Sequence, residues 1–239
     1  MKVLGIDTSG YANAIGVVDG NRILADFTFE ARKDSLEKIV ANIDFALKEA
    51  NLTLEDIQGF GVGLGPGSWT GIRVGVTVAK ILAFSANKPV SGVPTLEVLA
   101  YNARNIPGVI CPIINAGAGD TVYAAFYRTR DGTVSRTGEY YVGDIQGLSE
   151  IIKEPTAFVG AESQSYCRLI SQALGSPNIA LEAVEGVPRG ATVALLAAIR
   201  LEHGENDDVL SLAPLYLKES TAKAFVNRYS RSAQAKSQV

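Results

Sequence analysis

Histidine and cysteine are the scarcest reactive side chains in this sequence. His203 is its one histidine, so a metal site that needs several histidines from one chain, such as the zincin pair, is excluded. It precedes Gly204 at the expected end of a helix, where a histidine more often interacts with the helix dipole. Cys111 and Cys167 lie in apolar surroundings and match no zinc spacing. We therefore expect two small buried side chains in a reducing compartment.

Long apolar runs and an excess of basic charge are also missing. No apolar run reaches the ~18 residues that a membrane-spanning helix requires, and the segment MKVLGIDTSG lacks the features of a signal peptide. We therefore expect a cytoplasmic protein with no membrane partner. The formal net charge is -3, and the body of the chain lacks the basic footprint of a nucleic-acid binder. Any RNA contact is expected to be local or made by a partner.

The first half of the chain has the pattern of a small α/β unit. Apolar runs and turn signals, among them the hairpin dipeptide Asp19-Gly20, predict strands and helices in alternation. Asp34 and Glu37 have the spacing of a capping box at the start of the first helix. The predicted strands are 2–6, 12–18, 22–30, 60–64 and 90–93, and the predicted helices are 35–50, about 70–87 and 95–104. In the first helix the predicted buried stripe is Leu36, Ile39, Val40, Ile43, Leu47 and Ala50.

The second half repeats this order. Strands are predicted at 109–115, 121–128, 133–142 and 156–160, with helices at 145–153, 162–174 and 190–203. The order β-β-β-α-β-α thus occurs twice, and Asn115 stands where the first half has Asp7. We predict a duplicated α/β fold of two lobes, each a mixed sheet flanked by helices, with a ligand cleft between them. The predicted divisions are 1–104, 105–217 and a basic tail at 218–239, which is either solvated and partly disordered or a weak RNA contact.

Residues Asp7, Thr8 and Ser9 end the first strand and form the first candidate site. Hydroxyls and exposed N–H groups in a tight turn can hold a phosphate, and an aspartate there can hold Mg²⁺. Equally, these side chains can bond the backbone of their own turn. The glycine-rich segment 65–71 is not a Walker A loop, because no lysine follows its last glycine, and Ser68 or Thr70 is the expected N-cap of the next helix.

The long helix that follows this loop is apolar nearly all round and therefore needs neighbours on two sides. Small residues recur every fourth position, which gives a smooth stripe for close approach of another helix, either from the same chain or from a partner. Two aromatic residues are further candidates for a partner contact: Phe45, beside Ala41 on the far side of the first helix, and Trp69. Each is alternatively an ordinary surface or core residue. The small residues are Gly71, Gly75, Ala79 and Ala83.

The segments IDTSG, GLGPGSWTGIRVGVTVAK and SGVPTLEVLA together resemble the TsaB (YeaZ) family, as does LAPLYLKES near the end of the chain. The resemblance is specific over residues 2–104 and looser over 105–217. It implies the actin/Hsp70/sugar-kinase-like (ribonuclease H-like) fold. The chain departs from the family pattern at Asn115–Gly117, where an Asp-Ala-Arg segment is usual, and at Trp69, where phenylalanine is commoner.

By this resemblance the chain is a non-catalytic subunit of the machinery that makes N6-threonylcarbamoyladenosine at position 37 of tRNAs reading ANN codons. The implied partners are the catalytic paralogue TsaD, the ATPase TsaE and a second copy of the chain, with tRNA reached through the complex. No cofactor is required by the chain, although ATP and magnesium belong to the complex. The implied pairing helices are 35–50 and 70–87, so Gly75→Leu with Ala79→Leu should abolish pairing and leave the monomer folded. The alternative is a degenerate ATP-binding phosphotransferase or ATPase, against which Asn115 counts because it lacks a charge for a metal.

Overall fold

The computed structural model describes residues 1–31, 37–117, 120–130, 132–174, 178–181 and 185–218. Within them the chain forms two mixed sheets, each flanked by helices, as the sequence predicts. The predicted capping box at Asp34 lies outside the described residues, and so does the chain from 219 onward.

The first sheet has the order β3-β2-β1-β4-β5. Its first three strands form an antiparallel meander, and β4 and β5 add to β1 in parallel. Alternate side chains of β1 point to opposite faces, so that Leu4 enters one core cluster and Val3 the other. The strands are β1 (Lys2–Asp7), β2 (Ala12–Asp19), β3 (Arg22–Glu30), β4 (Gly59–Gly63) and β5 (Val90–Val93).

Helices α1 (Ile39–Glu49) and α2 (Trp69–Ala86) share one core cluster with this sheet. Helix α1 begins four residues later than predicted, and its N-cap, Lys38, makes no side-chain capping bond. Val40, which the predicted stripe places inside, is exposed, because the helix buries the face that carries Ile39 and Ile43. Helix α2 has the predicted extent, and the Ser68 side chain accepts a hydrogen bond from the Gly71 N–H, which confirms that N-cap.

The second sheet repeats the order of the first as β10-β7-β6-β11-β12, with β8 paired to β6 and β9 paired to β8. This repetition confirms the duplicated fold. The predicted strands 121–128 and 133–142 are each divided in two, because Phe126 lies between the two pairings of β6 and its carbonyl accepts the Thr137 N–H instead. The strands are β6 (Val109–Asn115), β7 (Thr121–Ala124), β8 (Tyr127–Arg130), β9 (Thr133–Arg136), β10 (Tyr141–Asp144), β11 (Thr156–Val159) and β12 (Ile179–Ala180).

Two helices pack across the halves of the chain. Helix α6 (Gly190–Glu202) packs on the face of the first sheet opposite α1 and α2, against β1, β2 and β4, through a buried alanine-rich side. Helix α3 (Thr95–Asn102) packs against β6 and β9 of the second sheet. Helices α4 (Ile145–Ile151) and α5 (Ser163–Leu174) complete the second unit. The divisions predicted at 104/105 and 217/218 stay predictions, and in space the halves exchange a helix.

After α6 the chain returns to the first sheet through residues 207–217, which we call the strap and which contain a turn at 209–211. The Asp207 N–H donates to the Val90 carbonyl, and the Asp207 carboxylate accepts the Gly92 N–H at 2.7 Å. Further along, the Leu215 N–H donates to the Leu64 carbonyl at 2.9 Å, and Leu212 is buried in the same core as α2. In the described part of the chain no helix is long and apolar enough to cross a membrane.

Candidate functional site

Asp7 is fully buried at the end of β1, where its carboxylate joins three parts of the fold. One oxygen, Oδ1, accepts the Ser9 backbone N–H at 2.8 Å and the Ser9 hydroxyl at 2.6 Å. The other, Oδ2, accepts the hydroxyl of Thr95, the first residue of α3, at 2.9 Å. The Thr95 hydroxyl oxygen in turn accepts the Gly65 N–H at 3.2 Å. The carboxylate therefore connects the β1 turn, the glycine loop and α3.

Thr8 and Ser9 are buried beside Asp7 and are also used within the chain. The Thr8 hydroxyl donates to the Gly71 carbonyl at 2.6 Å, and the Ser9 carbonyl accepts the Ser68 N–H at 2.6 Å. Of the two roles that the sequence allows for Asp7, Thr8 and Ser9, this geometry matches the structural one, in which the side chains bond the backbone of their own turn and its neighbours. Use of these residues for phosphate or magnesium stays a prediction.

Burial raises the pKa of Asp7 above its ordinary value, and the hydrogen bonds from Ser9 and Thr95 offset part of that rise. A carboxyl whose folded-state pKa is raised favours folding most when it is protonated. The contribution of Asp7 to the free energy of unfolding is therefore largest below the unfolded-state pKa of the carboxyl, near 3.8. This contribution declines as the pH rises through the folded-state pKa.

We expect Asp7→Asn to reduce this decline, because asparagine keeps an acceptor for Ser9 without carrying a charge. The difference in free energy of unfolding between the variant and the wild type should shift in favour of the variant as the pH rises from about 4 to 7. Urea denaturation at several pH values measures this difference. A difference that moves the opposite way, in favour of the wild type, would show that the ionised carboxylate is stabilised in place.

The cleft between the two sheets has a volume of about 360 Å³. Its polar lining includes Ser9, Ser68 and Thr95 on one side and Asn115 and Glu162 on the other, and none of the described lining residues is basic. Such a lining favours neutral or cationic groups over a phosphate. The apolar lining residues are Leu99, Ile113, Ile114, Ala161 and Pro188.

Across the cleft, Asn115 and Glu162 are held by Tyr166. The Tyr166 hydroxyl donates to Glu162 Oε2 at 2.7 Å and accepts from Asn115 Nδ2 at 3.1 Å. Burial, together with the neighbouring carboxylate, raises the pKa of Tyr166 to about 12, so the phenol stays protonated. Asn115 Oδ1 also accepts the Gly117 N–H at 2.7 Å, so this oxygen has a hydrogen-bond donor within its own turn. In the described residues no three histidine, cysteine or acidic side chains gather in a way that could hold a metal ion.

The small-residue stripe of α2 lies inside the chain. Gly71, Gly75, Ala79 and Ala83 are all buried. A Cβ at Gly71 would lie 1.9 Å from the Thr8 carbonyl oxygen, and one at Gly75 would lie 2.3 Å from Thr8 Oγ1. The prediction that these four residues form a partner interface is therefore wrong, because α2 uses them to approach β1 closely.

The opposite face of α2 is exposed and strongly apolar. Phe84 is 69% exposed, Ile81 60% and Trp69 42%. Together with Arg73 and Thr77 they recur about every fourth residue, so they lie along one side of the helix. Sequence reasoning missed Ile81, Phe84 and Arg73. In an apolar helix the small residues mark the side of close packing, and that signal would have placed these larger residues outside.

Helix α1 contributes two predicted contact residues to the surface on the same side of the first sheet as α2. Ala41 is exposed, and Phe45 is 45% exposed with its ring 5.0 Å from that of Phe27. Phe45 is thus supported by β3 and still accessible. We define the docking face as the exposed residues Trp69, Arg73, Thr77, Ile81 and Phe84 of α2, with Ala41 and Phe45 of α1.

Comparisons with known proteins agree with this fold. The structure of YeaZ from Pseudomonas aeruginosa superposes with a TM-score of 0.75 at 22% identity, covering 90% of this chain and 99% of that one. A ROK hexokinase from Thermus thermophilus superposes with a TM-score of 0.50 at 15% identity, over 84% and 100% of the two chains. The molecule thus belongs to the actin-like class of sugar-kinase and ATPase folds.

Sequence relatives narrow this class. The chain is 31% identical over 227 residues to the tRNA threonylcarbamoyladenosine biosynthesis protein TsaB of Bacillus subtilis, covering 94% of this chain and 97% of that protein. Residues 28–224 match the family model described as TsaD, tRNA N6-adenosine threonylcarbamoyltransferase. A transferase of that name from Brachyspira hyodysenteriae is 38% identical over 130 residues, which are 48% of this chain and 38% of that protein. The chain belongs to the TsaB family.

Proposed function

We propose that this chain is a cytoplasmic, non-catalytic subunit in the synthesis of threonylcarbamoyladenosine in tRNA. In this role it binds and supports the catalytic transferase paralogue, TsaD, and helps to present a site for the ATPase TsaE. It pairs with a second copy of itself when the transferase is absent. Contact with tRNA is made through the complex.

The observation that carries this proposal is the docking face. Ile81 and Phe84 leave large apolar side chains in water on a helix whose other side is fully packed, and such surfaces mark protein–protein contacts. The match to a transferase over 48% of this chain, and to the transferase family model over residues 28–224, supports a paralogue as the partner.

The cleft supports the non-catalytic part of the proposal. Asp7, the acid that would hold a metal, is enclosed and engaged by three donors, and the described lining offers no cation for a phosphate. The same features count against the ATP-binding phosphotransferase alternative.

A reaction reconstituted from the transferase, the ATPase and tRNA tests this role. Omitting the chain should lower formation of the modified nucleoside, measured by mass spectrometry, by about tenfold or more, the size of a typical coupling between bound partners. The wild-type chain and the cleft variant Glu162→Gln should restore it equally. Loss of activity in Glu162→Gln, with transferase binding intact, would show that the cleft takes part in chemistry and would overturn the non-catalytic assignment.

A further inference from the structure

The strap runs beside α2 in the opposite direction and is held there by the two cations of that helix. Lys80 Nζ donates to the carbonyls of Leu210 and Leu212, each at 2.9 Å. Two helical turns earlier, Arg73 Nε donates to the Tyr216 hydroxyl at 3.0 Å. The strap is therefore fixed along the exposed side of α2 by side chains of that helix.

This arrangement adds two large side chains to the docking face. Leu210, 75% exposed, borders a shallow apolar groove with Ile81 and Phe84. At the other end of the strap, Tyr216 packs against Trp69 with ring centroids 4.3 Å apart. Residues from distant parts of the sequence thus form a continuous apolar surface with α2.

Trp69, Arg73 and Tyr216 form a compact group, which we call the platform. The Arg73 guanidinium lies 4.1 Å from the Trp69 ring centroid and 6.0 Å from that of Tyr216. Both rings remain 42% exposed. The three side chains hold one another in place before any partner arrives, which lowers the entropy lost on binding.

The chemistry of the platform favours a protein with an acidic side chain. Tryptophan, tyrosine and arginine are the residue types most often found to dominate binding energy in protein interfaces. Within the described chain, Arg73 meets aromatic rings and a hydroxyl but no carboxylate, so its terminal nitrogens remain available for one. A nucleic acid is disfavoured by the net charge of -3.

We propose that the platform anchors the transferase paralogue, and that the strap is a second element of the interface alongside α2. The paralogue would place an apolar side chain on the Trp69 and Tyr216 rings and a carboxylate on Arg73. The argument for this occupant is the continuity of the platform with the docking face, so the inference rests on the proposed function.

Calorimetric titration of the purified transferase with variants of this chain tests the inference. Tyr216→Ala should weaken binding about tenfold or more, and Tyr216→Phe, which keeps the ring, should weaken it less. Arg73→Gln should weaken binding about tenfold and reduce the dependence of affinity on salt concentration, because one ion pair is lost. Arg136→Gln is the matched control, since Arg136 lies 4.1 Å over the Tyr140 ring in the second unit, and it should bind as the wild type does.

The outcomes separate the inference from the proposed function. Normal affinity and salt dependence in both Arg73→Gln and Tyr216→Ala, with binding by the wild type, would overturn the platform and leave the pairing in place. Absence of binding by the wild type would remove the proposed function, and this inference with it. Thermal unfolding of each variant identifies any loss of affinity that comes from a misfolded strap. If Tyr216→Ala is misfolded, the affinity of Arg73→Gln, a change at an exposed side chain, decides whether the platform binds the transferase.

Discussion

Replacing Gly75 and Ala79 together with leucine is expected to unfold the protein. The sequence alone predicts that this change abolishes pairing and spares the monomer, but both positions are buried against the first sheet. The leucine at Gly75 would begin 2.3 Å from Thr8 Oγ1. Overpacking costs about 1–3 kcal/mol at each site, and more where backbone must move. A combined loss of about 4 kcal/mol or more is comparable with the whole free energy of unfolding of a marginally stable domain.

Urea denaturation followed by circular dichroism measures this loss. The matched control is Thr77→Leu, which adds a leucine to the exposed side of the same helix and should change stability by no more than about 0.5 kcal/mol. A folded double variant with wild-type stability that fails to pair would restore the small-residue stripe as an interface.

Replacing Ile81 and Phe84 together with aspartate is expected to abolish pairing with the transferase while leaving this chain folded. Both side chains are more than half exposed, so the change costs little in the free chain. In a complex it would remove two apolar contacts and bury two unpaired carboxylates, each costing about 2 kcal/mol or more. The expected loss of affinity is at least about a hundredfold, measured by calorimetry.

The control for this variant is Ile151→Asp with Leu169→Asp. These side chains are 46% and 52% exposed on α4 and α5 of the second unit. This pair should retain full affinity, because it changes the same kind of residue away from α2. Equal loss of binding in both double variants would assign the effect to general surface charge and not to the docking face.

The repeat of strands and helices was readable from the sequence, because apolar periodicity and turn residues are local signals. The interruptions at Phe126 and between β9 and β10 were not, since they depend on which strand each segment meets in the second sheet. The crossing of α6 to the first sheet has the same cause. An alanine-rich helix is expected to be buried, but its sequence does not specify which sheet buries it.

At the candidate site, too, the sequence did not specify which elements pack together. The spacing of the small residues in α2 correctly indicated close packing. The packing partner could belong to the same chain or to another chain, and in the structure it is the first sheet of the same chain. Tyr216 could not be connected with Trp69 from the sequence, because the two residues are 147 positions apart and meet only in the folded chain. Long-range contacts of this kind are set by the tertiary structure and leave no local pattern.

The central claim is that this chain pairs with the transferase through the exposed side of α2. Size-exclusion chromatography with light scattering, on the chain alone and mixed with the transferase from the same cell, tests it most directly. The account predicts a homodimer that converts to a one-to-one heterodimer, and no heterodimer with the Ile81→Asp, Phe84→Asp variant. Two species that elute unchanged after mixing, at concentrations well above micromolar, would contradict it.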